Sequence, residues 1–395
     1  GSEVPAEDAA DYVARCERFA VDVIAHSWRA DDAANAFPAD VHKAARAAGL
    51  LDAGFSVALG GQGVTHRQLA EGGLAMARVC APTTFTMGFN HGALRPVLAA
   101  GTAEQRARFV TAVLARGGYA SWCMTEQGVS GTNLLAIQTR ADRVPGGWAV
   151  TGHKCMTGNG TVSELFFVLA DAWEAGQRLG PTIFAVPRGP GVTVGENTDK
   201  LGFRCLPTPD VVFEGAVVDD GSVIGGVGGG FPVLLDSLAY MRFGGGVVVL
   251  GLAEGALLDV LPWLDQRETW GGVRLADESH VQVTLGRLLA RLIAAKGLLM
   301  RVADALDAGA PCSDDAAALK LLAADLAIDA TAQTMQLFGW RGIDGRFVAQ
   351  KRFRDARQTS IYEGTSEVQA MNLFRAWAAK TRRAQEAEPE TLPDE

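Results

Sequence analysis

The spacing of apolar and polar positions changes period twice along the chain. From residue 7 to about 118 it is helical. The run Asp40 to Gly49 has helical composition, with Pro38 just ahead of its start and Gly49 as its stop. Gly60-Gly61-Gln62-Gly63 marks a turn, and helical spacing resumes from about His66 to Val79. Thr102 and Gln105 stand at the spacing of a capping box, which predicts a further helix start.

From about residue 119 the period drops to two. Ala136 to Asp142 alternates, Pro145-Gly146-Gly147 turns the chain, and Trp148 to Thr151 alternates again, predicting a hairpin. Leu165 to Leu169, Thr182 to Val186 and Val211 to Phe213 predict further short strands. The glycine-rich segment Gly225 to Gly230 fits neither GxGxxG nor GxxxxGK[ST] and reads as a hinge. From Phe231 the helical period returns. Phe243 to Leu264 is crowded with Gly, Ala and Val, which suits close helix packing, and His280 to Leu306 is a long amphipathic run. Ser313 is the expected cap of a helix reaching about Phe338, with Asp314 and Asp315 favouring its positive end. The sum is an α+β chain: an N-terminal helical domain (1–118), a middle β domain (119–228), a C-terminal domain of four long helices (229–380) and a charged tail (381–395) expected to be disordered.

Composition narrows the class. A chain of 395 residues, 48% hydrophobic and 21% charged, has the make-up of a globular protein of two or three domains. The net charge of −9 argues against nucleic acid or an anionic membrane as the main partner. The most apolar stretch, Phe243 to Leu258, is rich in glycine and stopped by Glu254, so no membrane span is expected. No positively charged leader precedes an apolar run, so no signal peptide is expected. Six cysteines without CxxC pairing suit reduced thiols and a cytoplasmic location, and the isolated histidines predict no metal.

The most informative stretch is Arg354 to Gln369, which joins two helical patterns. Within it Glu363 is followed by Gly364 and by Thr365 and Ser366, both good helix caps. A carboxylate just before a helix start lies near free backbone N–H groups and can line a pocket; it can equally be a solvated loop residue. The wording Tyr362-Glu363-Gly364-Thr365 resembles the C-terminal signature of the acyl-CoA dehydrogenase family. That resemblance runs in order over nearly the whole chain, including counterparts of the family's Tyr-Gly-Gly-x-Gly and Gly-Thr-x-Glu-Gln segments near the N-terminus.

Oxidising an unactivated Cα–Cβ bond of a thioester requires a base for the α-proton and an acceptor for the β-hydride, which no protein side chain can be. The resemblance implies that Glu363 is the base, that FAD is the acceptor through its N5, and that the product is a trans-2-enoyl thioester. Some members place their base where Met241 stands here; methionine cannot take a proton, which favours Glu363. Trp122-Cys123-Met124-Thr125-Glu126-Gln127-Gly128-Val129-Ser130-Gly131-Thr132 is the counterpart of the first flavin segment. The family usually reads Thr-Glu-Pro-Gly-Ala-Gly-Ser-Asp there. Thr125 and Glu126 match, Gln127 replaces the proline, and Gly131 stands where serine would, leaving Ser130 or Thr132 as donors. In the second segment, Met156, Thr157 and Gly158 stand against the family's Trp-Ile-Thr, so altered flavin contacts are expected.

Further contacts implied for the cofactor are Arg267 and Trp270, reaching the flavin of a neighbouring subunit, and Gln336 and Gly339 at the pyrophosphate and adenosine half. Thr365 and Glu367 continue them after the base. Arg242, Tyr240, Tyr362 and Gly364 are the implied substrate contacts. The acid commonly found three residues before the arginine is Ala239 here, which leaves room for an acyl carrier protein in place of CoA. The implied partners are an electron-transfer flavoprotein or similar acceptor and three further copies in a homotetramer. The alternatives are a flavin-dependent monooxygenase of the same fold, against which Glu363 counts, and a non-redox or binding protein with a degraded flavin site.

Overall fold

The computed structural model describes residues 6–129, 133 and 136–387. The N-terminal region is helical: α1 (Ala6–Phe19) passes through a π-helical turn, Ala20–Ile24, into α2 (Ala25–Ala34). There follow α3 (Ala39–Ala47), α4 (His66–Ala93), α5 (Arg95–Ala100), α6 (Ala103–Gln105) and α7 (Ala112–Arg116). Both α4 and α6 begin with capping boxes, Thr65 with Gln68 and Thr102 with Gln105, each worth about 1 kcal/mol to its helix start. The backbone of α4 leaves helical geometry at Cys80, two residues before Pro82, whose ring cannot donate to the helix ladder.

One eight-stranded sheet follows, built from β1 (Ala120–Cys123), β2 (Arg140–Val144), β3 (Gly147–Lys154), β4 (Leu165–Glu174), β5 (Gln177–Pro187), β6 (Val192–Val194), β7 (Val211–Asp219) and β8 (Val223–Ile224). The order is β6-β7-β3-β2-β4-β5-β8, and β1 pairs in parallel with the first half of β4. The expected hairpin is β2–β3, turning at Pro145 and Gly146, although its first strand starts at Arg140 instead of Ala136. Every second residue of β4 faces a different core: Phe166 and Val168 point into the sheet domain, Phe167 and Leu169 toward the helices. Burial on both faces explains why this strand reads as an unbroken apolar run.

The C-terminal half is α8 (Gly230–Gln266), α9 (Ser279–Asp307), α10 (Ser313–Phe338), α11 (Trp340–Ile343), α12 (Ala349–Arg357) and α13 (Ser366–Ala387). α13 continues past Lys380 into the segment expected to be a disordered tail; the remainder lies outside the described residues. α8 is apolar and long enough to cross a membrane by composition, but two-thirds of its most apolar window (67%) is buried inside the fold. Its glycines explain how it packs so closely. A Cβ added at Gly251 would stand 2.4 Å from Ala77 of α4, and one at Gly246 would stand 2.7 Å from Leu319 of α10. The largest core cluster unites α4, α8, α9 and α10.

Candidate active site

Between α4 and α8, closed by β1 and the segment before α13, lies a cavity of ≈ 120 Å³. Phe85, Phe89, Trp122, Met241, Phe243, Val247 and Val248 give it an apolar lining, and Glu363 stands in its wall. Glu363 has φ 55 and Gly364 φ 90, two successive left-handed residues. A side chain in that conformation is strained, and such strain persists where the surrounding structure holds it. The holders are polar. Lys320 Nζ donates to the Gly364 carbonyl at 2.7 Å, and Gln369 Nε2 donates to the carbonyls of Glu363 and Gly364, each at 3.3 Å. Thr365 Oγ1 accepts from the Val368 N–H and caps α13.

The Glu363 carboxylate is packed against α8, where a Cβ added at Gly245 would stand 2.5 Å from Oε2. Oε2 is buried without a hydrogen-bond partner. Burial pushes the carboxyl up to about 8, against the opposing influence of Lys320 and Arg242. Arg242 is itself buried, with an unpartnered Nε. Its basicity is lowered by burial and partly restored by Glu363. Tyr362 packs its ring against Phe85 and Phe203 and leaves its hydroxyl unpartnered. The segment is anchored from behind by Asp355, which accepts from the Phe203 N–H and from Lys351, and by Arg354, which pairs with Asp32.

Of the residues singled out from the sequence, Trp122, Tyr240, Met241 and Glu363 line this cavity, with Tyr362, Gly364 and Arg242 beside the base. Trp122 donates from Nε1 to the Gly92 carbonyl. The Met124 carbonyl accepts from Lys154 Nζ, and the Thr125 carbonyl from the Cys155 N–H. Glu126 is buried and accepts from Lys154, Thr139 and Gln138, so it ties the segment that follows β1 to β3. Gly128 lies against Gln138, while Ser130, Gly131 and Thr132 fall outside the described residues.

Met156 has φ 55 and is 49% exposed, presenting its thioether outward. Thr157 is turned inward, its hydroxyl facing Cys123 Sγ at 3.8 Å. Gly158 has no room for a side chain, because a Cβ there would stand 2.4 Å from the Phe89 ring. Arg267, Trp270, Gln336 and Gly339 do not line the cavity and lie exposed on the surface, Trp270 at 97%. Glu367 is also exposed, its carboxyl held low by the α13 N-terminus and Thr365. Sequence reasoning missed Lys320, Gln369, Gly245 and Phe89. Lys320 alone carried a signal: it is a lysine on the apolar face of α10, next to Leu319 and four residues before Ala324.

Three family descriptions match in order: the acyl-CoA dehydrogenase N-terminal domain over residues 6–117, the middle domain over 121–216 and the C-terminal domain over 228–378. The chain belongs to the acyl-CoA dehydrogenase family. It is 31% identical to the short-chain specific acyl-CoA dehydrogenase of Homo sapiens mitochondria over 86% of this chain and 82% of that protein. It is 29% identical to the short-chain specific enzyme of Clostridium acetobutylicum, over 86% of this chain and 90% of that one. The solved structure of butyryl-CoA dehydrogenase from Megasphaera elsdenii superposes with a TM-score of 0.89 at 25% identity, covering 95% of this chain and 99% of that chain. The protein is thus an acyl-CoA dehydrogenase-type oxidoreductase, and the cavity beside Glu363 occupies the junction of its three domains.

Proposed function

We propose that this chain oxidises the Cα–Cβ bond of a short acyl thioester, carried on CoA or on a carrier protein, to the trans-2-enoyl thioester, with Glu363 as the base. The observation that carries the reading is the buried, unpartnered Oε2 of Glu363 at the wall of an apolar cavity, with Arg242 and Lys320 as its nearest cations. A buried carboxylate without a partner is costly and is retained where it has a task. An apolar wall favours the neutral acyl chain and keeps the carboxylate poorly solvated, which strengthens it as a base. In the ionised state Glu363 removes the α-proton, and the strained turn at Glu363 and Gly364 fixes the direction from which it does so.

The residues fit FAD. Met156 presents an exposed thioether, which can lie on a ring face, while Gly158 is packed against the Phe89 ring. Met124, Thr125, Gly128, Met156 and Thr365 would hold the cofactor from this chain. Arg267, Trp270, Gln336 and Gly339 would meet it from a neighbouring copy. FAD supplies the acceptor for the β-hydride.

A cavity of ≈ 120 Å³ is somewhat smaller than an engineered cavity that takes benzene, so it suits an acyl body of roughly five heavy atoms. Short-chain relatives support the same size class. The expected acceptor beyond FAD is an electron-transfer flavoprotein. The exposed apolar side chains of α13, Met371, Phe374 and Trp377, support assembly with further copies.

The test is the visible spectrum of the protein with FAD under anaerobic conditions. A flavin band that bleaches on adding butyryl-CoA, and that in Glu363→Gln forms but does not bleach, supports the proposal. Turnover of Glu363→Gln should fall by about 10² or more. Unchanged turnover in that variant would sink the assignment, and a band that bleaches only with carrier-bound acyl groups would fix the carrier.

A further inference from the structure

Lys320 is 3% exposed, about two turns into α10, and it makes no ion pair among the described residues. Its Nζ donates to the Gly364 carbonyl and lies 5.9 Å over the Tyr362 ring. A buried ammonium without a bonded counter-ion is a poor way to stabilise a fold, since a methionine of similar length would fill the space without the desolvation cost. What Lys320 does touch is the turn that carries the base. Its hydrogen bond, at 2.7 Å, is the shorter of the two on the Gly364 carbonyl; Gln369 reaches that carbonyl and the one of Glu363 at 3.3 Å, and both turn residues are left-handed. Without Lys320 the Gly364 carbonyl would keep only the longer bond from Gln369, and the turn could relax and carry the carboxylate from its place against Gly245.

We infer that Lys320 is a positioning residue for the base, holding the Glu363–Gly364 turn and keeping a positive charge near the carboxylate. The inference rests on the reading of Glu363 as the base. The groups that bear on this charge are Arg242 from α8, Lys320 and Asp325 from α10, Glu367 from α13, and Tyr362 beside the base. Among them only Lys320 and Arg242 favour the ionised carboxylate. Lys320 alone also bonds the backbone of the turn.

The experiment measures exchange of the α-hydrogen of butyryl-CoA for deuterium by NMR, from about pH 6 to about pH 10, with kcat, KM and FAD content alongside. The variants are Lys320→Met, Lys320→Gln and Lys320→Arg, with Glu363→Gln as control. Loss of a nearby opposite charge should raise the pH midpoint of exchange by about one unit or more in Lys320→Met. At neutral pH kcat should fall roughly 10- to 100-fold, with KM and FAD content unchanged. Lys320→Arg should return the midpoint toward that of the parent. Lys320→Gln, which keeps a donor for the Gly364 carbonyl but no charge, should raise the midpoint with a smaller loss of kcat, and it carries the test if Lys320→Met does not fold. An unshifted midpoint in the neutral variants overturns the inference, as does a loss of FAD and KM in step with kcat. Exchange that survives in Glu363→Gln overturns the base assignment itself, independently of Lys320.

Discussion

At Gly245 the absence of one methyl group makes room for the base. The atom that an added Cβ would meet is the carboxylate oxygen of Glu363, the mobile end of a side chain, so the fold can absorb the change while the base is displaced. Gly245→Ala should therefore keep the melting temperature within a few degrees and reduce kcat by about 10²-fold, the scale of a misplacement of roughly 1 Å. Circular dichroism melting and steady-state kinetics on one preparation check both halves.

The Glu363 carboxyl, pushed up to about 8 from an ordinary 4.5, gives a signed dependence on pH. Activity that needs the ionised form should rise with pH through about 8. Stability should behave oppositely: from 4.5 to about 8 the folded chain holds a proton that the unfolded chain releases, so stability falls as pH rises. Lys320, pushed down to about 8 from 10.5, adds stability as pH rises between those values. Glu363→Gln should remove the first slope and leave the second, which denaturant titrations at several pH values would read.

Among the elements, the segment that follows β1 is joined to β3 by a buried ion pair. Lys154 Nζ lies 2.8 Å from Glu126 Oε1, and Thr139 and the Gln138 N–H complete the carboxylate's partners. Cutting one partner from such a pair costs about 3–5 kcal/mol, whereas replacing both with neutral groups costs far less. Lys154→Met should lower stability by about that amount, and Glu126→Gln added to it should recover most of the loss, as a double-mutant cycle would show. The two segments that meet Met124, Met156 and Gly158 hang from this clamp. The sequence displayed both segments as motifs. It could not display that Thr157 turns inward to Cys123 or that Phe89 fills the space over Gly158, because those are contacts between elements 34 and 69 positions apart in the chain.

Across the whole molecule, the apolar residues that the chain does not cover lie mainly on its C-terminal half. Phe374 and Trp377 are each 63% exposed and pack on one another along α13; Ile293, Trp340 and Ile343 are exposed on other helices. If further copies cover this surface, Trp377→Glu should yield a smaller assembly by light scattering while the thermal unfolding of the subunit stays cooperative. Loss of FAD in the same variant would mean that assembly completes the cofactor site, as proposed for Arg267 and Trp270.

The order of helices, strands and helices was legible in the sequence, since hydrophobic period is a local property and each element must bury its own face. The hairpin β2–β3, the capping box at Thr102 and the turn bearing Glu363 were equally legible, because caps and turns are set by residues within a few positions of one another. The tertiary structure alone decided what surrounds Glu363. Lys320 lies 43 positions before it, Arg242 121 positions before it, and Gly245 on the same helix as Arg242. The resemblance marked Arg242, and Lys320 showed only as a lysine on the apolar face of α10, but neither pattern brought them to Glu363, and nothing marked Gly245. They act through burial, and burial belongs to the packed molecule: the same lysine, arginine and glutamate in water would have ordinary acidities and no fixed geometry.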